Sequence, residues 1–482
     1  MSRNKLATSA LESLLFSRVA LEDLDRVSPE ARQALAERAL AHLATRRPGM
    51  ASVSVLEGST AGLPDAMILE AINDDSPFLL DSALAELNER GLTPRLVAHP
   101  ILVVEREPSG ALSSPPELAV PGKKGTRESL IHIHLPRLSP SETAELTAAL
   151  EVVFDNVRQA VADFEPMRKR LKSAAKGYRK TPPPLSKAGI EEAIAFLEWA
   201  AADHMTLLGM REYRLQKGDE NPIAVVDSGL GILRDPNVHV LRRGRNALAM
   251  TPEILTFLRE QQALIITKAN VKSLVHRRVH MDYLGIKLYD SDGKVSGELR
   301  VVGLLTATAY NDPVSSIPYL SRKAGKVLKK AGLPADSHSS RALVNVLESY
   351  PRDELFQISQ EQLNGFAIDI LALGDRPRLR ALPRVDRFDR FVSILVYVPK
   401  DRYDSEVRRK IGLWLAGQYN GRLSAAYPHY PDGPLTRTHF IIGRDEGPTP
   451  HISRDDLEAG IAAIVRTWSD DLRDAALTIA GA

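Results

Sequence analysis

The stretch "NDDSPFLLDSALAELNERG", Asn73–Gly91, is where a strand hands the chain over to a helix. Strand-like runs bracket it, "AMILEAIN" before and "PRLVAHPILVVER" after. Ser76 reads as the helix N-cap and Pro77 as its first residue. Leu80, Ala83, Leu84 and Leu87 then recur at helical spacing and make one buried face, and Gly91 stands where a left-handed C′ residue belongs. Further on, after a Pro/Ser/Gly-rich excursion from Glu107 to Gly125, "SLIHIHL" alternates as a half-buried strand. Ser139, Pro140 and Glu142 form a capping box, followed by a stripe through Leu146, Ala149, Leu150, Val153, Phe154, Val157, Val161 and Phe164. The order strand, helix, strand, strand, helix predicts an α+β sandwich of two layers.

The next segment, "RKRLKSAAKGYRKTPPP", has no acidic residue and ends in three prolines. It reads as a linker, or as an exposed helix tail before a stiff break. Its basic residues lack interleaved aromatics apart from Tyr178, which favours a solvated surface over a nucleic-acid patch. From Gly189 to Gly374 the pattern changes. The helix "GIEEAIAFLEWAAADHM" precedes short strands "LLGMREYRL", "ALIITKA" and "SLVHRRV", then a long hairpin turned at Asp292-Gly293. Helices follow in "IPYLSRKAGKVLKKAGL", "SSRALVNVLESY" and "SQEQLNGFAIDILAL". This grammar fits a small sensor domain of the PAS kind or another mixed sheet. The last part repeats the order of the first: strand "RFVSILVYVP", a helix bearing Val407, Ile411, Trp414 and Leu415, and strands "GRLSAAY" and "TRTHFIIG". A final helix is expected to carry Leu457, Ile461, Ile464, Val465, Trp468 and Leu472, capped by Ser453 and Asp456.

A chain of 482 residues is long enough for several domains. Hydrophobic content of 44% and charged content of 26% are those of globular protein, and a net charge of +2 advertises neither nucleic acid nor a membrane surface. Without cysteine there is no disulfide, thiolate metal site or thiol nucleophile. The N-terminus lacks the uninterrupted apolar core of a signal peptide, and no run reaches the ~18 apolar residues of a membrane span, so a cytoplasmic protein is expected.

Catalytic patterns are sparse. "DSGLGILRD", Asp227–Asp235, has Gly229 and Gly231 but no third glycine and no following helix, so it makes no dinucleotide loop. Neither a phosphate loop nor a nucleophile elbow occurs. His276 and His280, with Asp282, could share a metal on a helix, but the flanking residues favour a strand, where that spacing is too wide, so no metal site is expected. Asp74, Asp75 and Asp81 crowd a helix start, which holds carboxylates ionised and opposes general-acid work. Asp81 reads as ordinary capping. Asn73, Asp74, Asp75 and Ser76 occupy the strand-to-helix loop, where free amides and short polar side chains can hold a small zwitterion, or simply meet water. The corresponding loop of the last part offers Lys400, Asp401 and Arg402.

Several of these strings together resemble a known family. "NDDSPFLLDSALAELNERGL", "HPILVVER", "FLEWAAADHMTLLGMREYRL", "SLVHRRVHMDYLGIKLYDSDGKV", "VGLLTATAYNDPVSSIPYLSRKAGKVL" and "DRFDRFVSILVYVPKDRYDSEVRRKI" are similar to the N-terminal part of the large bacterial NAD-specific glutamate dehydrogenases, collinearly from about Leu56 onward. The resemblance implies two ACT-like, ferredoxin-like βαββα sandwiches flanking a PAS-like domain. The implied layout is an N-terminal helix plus first ACT-like domain in 1–172, a linker in 173–188, the PAS-like domain with trailing helices in 189–380, and a second ACT-like domain in 385–482. It implies a regulatory and oligomerisation part that senses amino-acid effectors and works with the catalytic region of a parent enzyme. That enzyme would use NAD to deaminate L-glutamate oxidatively to 2-oxoglutarate and ammonia. No catalytic residue carries over, and no cofactor is expected in this chain, which would be a fragment, a truncated product or a separately encoded part. In ACT domains effectors sit in the strand-to-helix loop, which singles out Asn73, Asp74, Asp75 and Ser76, with Lys400, Asp401 and Arg402. The alternatives are a homo-oligomeric scaffold that binds no ligand and a stand-alone amino-acid sensor.

Overall fold

Two antiparallel sheets with one strand order stand near opposite ends of the sequence. The computed structural model describes residues 11–122, 124–215, 222–238, 240, 242–243, 246–247, 258–444 and 447–480. They divide into two units, taken one at a time: Met1–Met167 with Leu230–Arg234 and Lys272–His280, and Arg168–Gly229 with Asp235–Val271 and Met281–Ala482.

In the first unit, helix α1 (Pro29–Leu43) begins at Ser28, whose hydroxyl accepts the Ala31 N–H at 3.2 Å. The sheet contains β1 (Ser52–Glu57), β2 (Ala66–Asp74), β3 (Leu96–Ala98), β4 (Ile101–Val104), β5 (Glu117–Leu118) and β6 (Thr126–Pro136). Its order is β1-β2-β6-β4-β5, with β3 also on β6. Helices α2 (Leu79–Glu89) and α3 (Pro140–Ala162) pack against one another, and α3 against β1. The capping box of Ser139 and Glu142 forms as expected. Eight consecutive residues of β2 are buried, so both faces of the strand are covered. Ile68 and Ile72 share a core with Leu35, Ala39 and Leu43 of α1. The sandwich therefore has a third layer, which a count of strands and helices from Asn73 outward does not include.

Local details differ from expectation. Helix α2 starts at Leu79, not Pro77. Ser76 does not cap it; the preceding residue is Phe78, with φ 72°, and its carbonyl accepts the Ser82 hydroxyl at 2.5 Å. The buried face is accordingly Leu79, Ser82, Ala83, Glu86 and Leu87. Gly91 does take φ 70° at the helix end. The stretch Ser273–Val279, expected as a strand, is a bent loop in which His276 has φ 65°. The helix supplies its partners instead of a ladder: Ser82 accepts the His276 N–H at 2.8 Å, and Glu86 pairs with Arg278.

The second unit opens on helix α4 (Phe164–Lys180), which spans the basic segment. Leu171, Ala175 and Tyr178 are buried, and the Tyr178 hydroxyl lies 2.9 Å and 2.8 Å from the carbonyls of Ala263 and Lys287. Helix α5 (Lys187–Trp199) follows. A sheet of β7 (Met205–Arg214), β8 (Ile223–Ala224), β9 (Leu264–Lys272), β10 (His280–Tyr289) and β11 (Val295–Leu305) runs in the order β9-β10-β11-β7-β8. The β10–β11 hairpin turns at Gly293, φ 73°, as the Asp-Gly pair predicts.

Helices α6 (Leu320–Ala331), α7 (His338–Ser349), α8 (Arg352–Gln357) and α9 (Gln360–Asp375) come next. The final sheet has β12 (Arg380–Val385), β13 (Phe391–Pro399), β14 (Gly421–His429) and β15 (Leu435–Arg444), in the order β12-β13-β15-β14. Helices α10 (Ser405–Gln418) and α11 (Arg454–Val465) cover one face, while Leu343, Leu347, Leu363 and Phe366 pack with Leu382, Leu395 and Tyr397 on the other. Each end sheet thus adds a strand, β1 or β12, before the βαββα pattern. Pro383 hides β12 from a strand search; it is tolerated because the strand is an edge. The expected last helix is two helices. The chain is extended at Arg466, Thr467 donates its N–H and hydroxyl to the Asp470 carboxylate at 3.0 and 2.9 Å, and α12 (Trp468–Ala480) begins with Trp468 76% exposed. Among the described residues no helix is long and apolar enough to cross a membrane.

Candidate functional site

At the end of β2 the first unit holds a cavity of about 410 Å³. Asn73, Asp74, Ser76 and Leu79 line one side; Glu151, Phe154, Asp155 and Arg158 of α3 line another; Gly49 and Met50 close a third. Asn73 is only 6% exposed, and its side-chain Nδ2 has no hydrogen-bond partner. A buried donor left in that state costs about 1–3 kcal/mol, which a ligand acceptor would recover.

The neighbouring carboxylates are occupied in varying degree. Asp74 accepts the Gly49 N–H at 2.9 Å and pairs with Arg46. Arg46, itself buried, also reaches Glu128 at 2.8 Å, and Glu128 takes Arg106 at 2.7 Å. Asp74, itself exposed, is therefore the outer end of an ionic chain whose inner members, Arg46 and Glu128, are buried. Asp155 pairs with Arg158, whose guanidinium also holds the Gly49 carbonyl. Asp75 is exposed and outside the lining, its N–H bonded to the Arg127 carbonyl at 3.0 Å. Asp81 faces His276 at 3.1 Å. The structure thus brings Asn73, Asp74 and Ser76 to one cavity and leaves Asp75 aside. The contributions of α3 and of Gly49–Met50 leave no local signal, because they are set by packing across the fold.

Lys400, Asp401 and Arg402 form a short turn after β13. Lys400 Nζ donates to the Pro431 carbonyl at 2.6 Å, Arg402 pairs with Asp470 at 2.9 Å, and Asp401 is exposed. Asp404 caps α10 by accepting the Val407 N–H at 2.7 Å. Gly231 donates its N–H to Asp163 at 2.7 Å, so the dismissed glycine pair serves a loop. Among the described residues no group of three or more His, Asp or Glu is placed to hold a metal.

Opposite the cavity, on the α1 side of the first sheet, lies a buried charged cluster. Glu70 on β2 sits 3.2 Å from His132, 3.4 Å from His42 and 3.9 Å from Arg38. Burial pushes its carboxyl up, but the bond from His132 and the nearby His42 and Arg38 outweigh this and hold it down at about 2. His134, 3.0 Å from His132, is pushed down to about 3 by burial, with His132 and Arg38 adding to the shift. The final sheet carries a counterpart on the face away from α10 and α11. There Glu354 of α8 takes Arg384 of β12 through two 2.7 Å bonds, with His439 at 3.8 Å.

Comparison with known proteins agrees with this layout. The glutamate dehydrogenase ACT1 domain matches residues 11–150, the glutamate dehydrogenase helical motif 1 residues 317–376, and the glutamate dehydrogenase ACT2 domain residues 380–469. The two end sheets with their helices are therefore ACT domains, and α6–α9 are the helical motif between the middle sheet and the second of them. NAD-specific glutamate dehydrogenases of Halomonas elongata and Pseudomonas aeruginosa are 35% and 31% identical over 419 and 408 residues. These alignments take 85% and 84% of this chain. The Mycobacterium tuberculosis protein of the same name is 26% identical over 427 residues. This chain belongs to the large bacterial NAD-specific glutamate dehydrogenase family, in the region that carries its ACT domains. It spans about a quarter of the length of these relatives, 26%, 25% and 25%.

Proposed function

We propose that the chain is the regulatory part of an NAD-dependent glutamate dehydrogenase and that its first ACT domain senses a small amino-acid effector. The parent reaction is the oxidative deamination of L-glutamate to 2-oxoglutarate and ammonia, with NAD used by the catalytic region, the chain's expected partner. The observation that supports this reading is the unpartnered Nδ2 of Asn73 in a cavity of about 410 Å³. In that cavity the amide would donate to the effector's carboxylate, exposed Glu151 would meet its ammonium, and Leu79, Phe154 and Met50 would cover its side chain. In this reading the middle domain, whose sheet path runs β9-β10-β11-β7-β8, serves as a PAS-like sensor.

Titration calorimetry against the twenty amino acids tests the reading. At least one should give saturable heat, and Asn73→Leu should weaken that binding at least tenfold. Heat from none would sink it. A scaffold role has its own support in α12, where Trp468 is 76% and Ile479 88% exposed. A multimer in size exclusion, indifferent to every amino acid, would favour that second reading.

A further inference from the structure

Helix α8 turns two neighbouring carboxylates to different partners. Glu354 meets the final sheet through Arg384, whereas Asp353 meets the middle sheet through Lys268 of β9, whose Nζ lies 3.2 Å away. The same Nζ lies 2.7 Å from Asp282 of β10. Two carboxylates therefore share one ammonium, with the Lys268 and Asp282 side chains 13% and 12% exposed and that of Asp353 29%. Among the described residues neither carboxylate meets a second cation, so the cluster carries a negative charge in excess.

The other titratable groups around it bring no compensating charge. Asp282 also accepts the Leu305 N–H at 2.8 Å, and Asp353 accepts the hydroxyl of Tyr310, from the short helix Ala307–Asn311, at 2.9 Å. Burial pushes the Tyr310 phenol up and Asp353 adds to the shift, so it keeps its proton. Tyr427 of β14 and His439 of β15, with ring centres 6.2 Å apart, complete the electrostatic surroundings of Asp353. Burial pushes the Tyr427 phenol up and the His439 imidazole down, so both are uncharged at neutral pH. Burial also pushes the Asp282 carboxyl up; Lys268 opposes this and Asp353 reinforces it. Lys268 itself stays charged, because the two carboxylates outweigh its burial.

Two like charges around a single ammonium are relieved when one of them takes a proton. We propose that Lys268, Asp282 and Asp353 form a proton-sensitive joint: on acidification the two carboxylates take up one proton from solvent between them, and the middle sheet is then held more firmly to the helical motif. The proton belongs to the pair and not to either residue alone. A carboxyl pushed up on folding contributes stability that is complete below 3.8 and is lost as pH rises through its folded value. This is the reverse of His134 in the first sheet, whose contribution is lost in acid.

Urea unfolding of the full chain between about pH 4.5 and 8, with Asp353→Asn, Asp282→Asn and Lys268→Met beside the wild type, tests the joint. Where the pair releases its proton, the unfolding equilibrium constant of the wild type should rise with pH by up to about tenfold per unit more than that of either asparagine variant. Groups elsewhere titrate alike in all four chains and cancel in that difference. Lys268→Met leaves two carboxylates without their ammonium, so its total rise should exceed the wild type's. Asp353 is partly exposed, so Asp353→Asn folds even if the Lys268 variant does not. Hydrogen exchange, corrected for the intrinsic effect of pH on the rate, should show α8 more protected at about pH 5 than at about pH 8 in the wild type but not in Asp353→Asn. A pH dependence shared by the wild type and both asparagine variants, a smaller rise in Lys268→Met, or wild-type α8 protection that does not change with pH would each overturn the proposal.

Discussion

The two ACT sheets share a strand order over four positions, and each buries a carboxylate on the face away from its βαββα helices, but they hold that carboxylate with opposite polarity. In the first, Glu70 is on the sheet and its nearest partners are histidines; in the last, Glu354 is on the covering helix and meets the sheet's Arg384 through two 2.7 Å bonds. A guanidinium keeps its charge at every accessible pH, whereas imidazoles titrate. The loops at the helix starts differ as well. The first opens on a cavity with an unpaired amide, while the last is closed by Lys400 to Pro431 and Arg402 to Asp470. One architecture therefore leaves an open cavity at one copy and a closed loop at the other.

Breaking the better-held pair should have the largest effect. Glu354→Leu leaves Arg384 buried without its carboxylate and should cost about 3–5 kcal/mol in urea unfolding. A loss under about 1 kcal/mol would mean the pair is not what holds α8 to the last sheet.

The histidine cluster should instead show itself in acid. His134 titrates near 6.5 when unfolded and is pushed down to about 3 when folded, so only the unfolded chain takes up the proton between those values. Stability contributed by this group is present above 6.5 and is lost as pH falls toward 3. Glu70, held down from 4.5 to about 2, adds a loss of the same sign below 4.5. The unfolding free energy between pH 6.5 and 4 should fall less steeply in His134→Leu, by up to about 1.4 kcal/mol per pH unit. Parallel slopes would remove His134 from the account.

The smallest effect sharpens the contrast at the loops. Asn73→Leu removes a buried donor that has no partner, so stability should not fall by more than about 1 kcal/mol even where the proposed effector binding is lost. A larger loss in thermal unfolding would make Asn73 a structural residue.

Much of this was legible along the chain. Period-2 and period-3.6 patterns located β2, β6, α3, β13, α10 and α11, and the capping box at Ser139 and the N-cap at Ser453 were legible because they depend on neighbours three residues apart, although at Ser453 only the serine's half of the box forms. Ser76 failed as a cap because a left-handed Phe78 delays the helix, and the strand expected at Ser273–Val279 failed because Ser82 and Glu86 draw its polar groups away. The break before Trp468 was missed because the apolar repeat runs across it.

By itself the sequence determined the α+β alternation, the helix termini made by local caps and the loop in which Asn73 and Asp74 stand, since each is an interaction between near neighbours. Only the tertiary structure decided that β1 and β12 complete the end sheets, that helices cover both faces of each, and that Asn73 is left facing a cavity while Asp74 is bound to Arg46. Those outcomes rest on side chains brought together from distant positions, and no local periodicity records which buried donor the folded chain leaves without a partner.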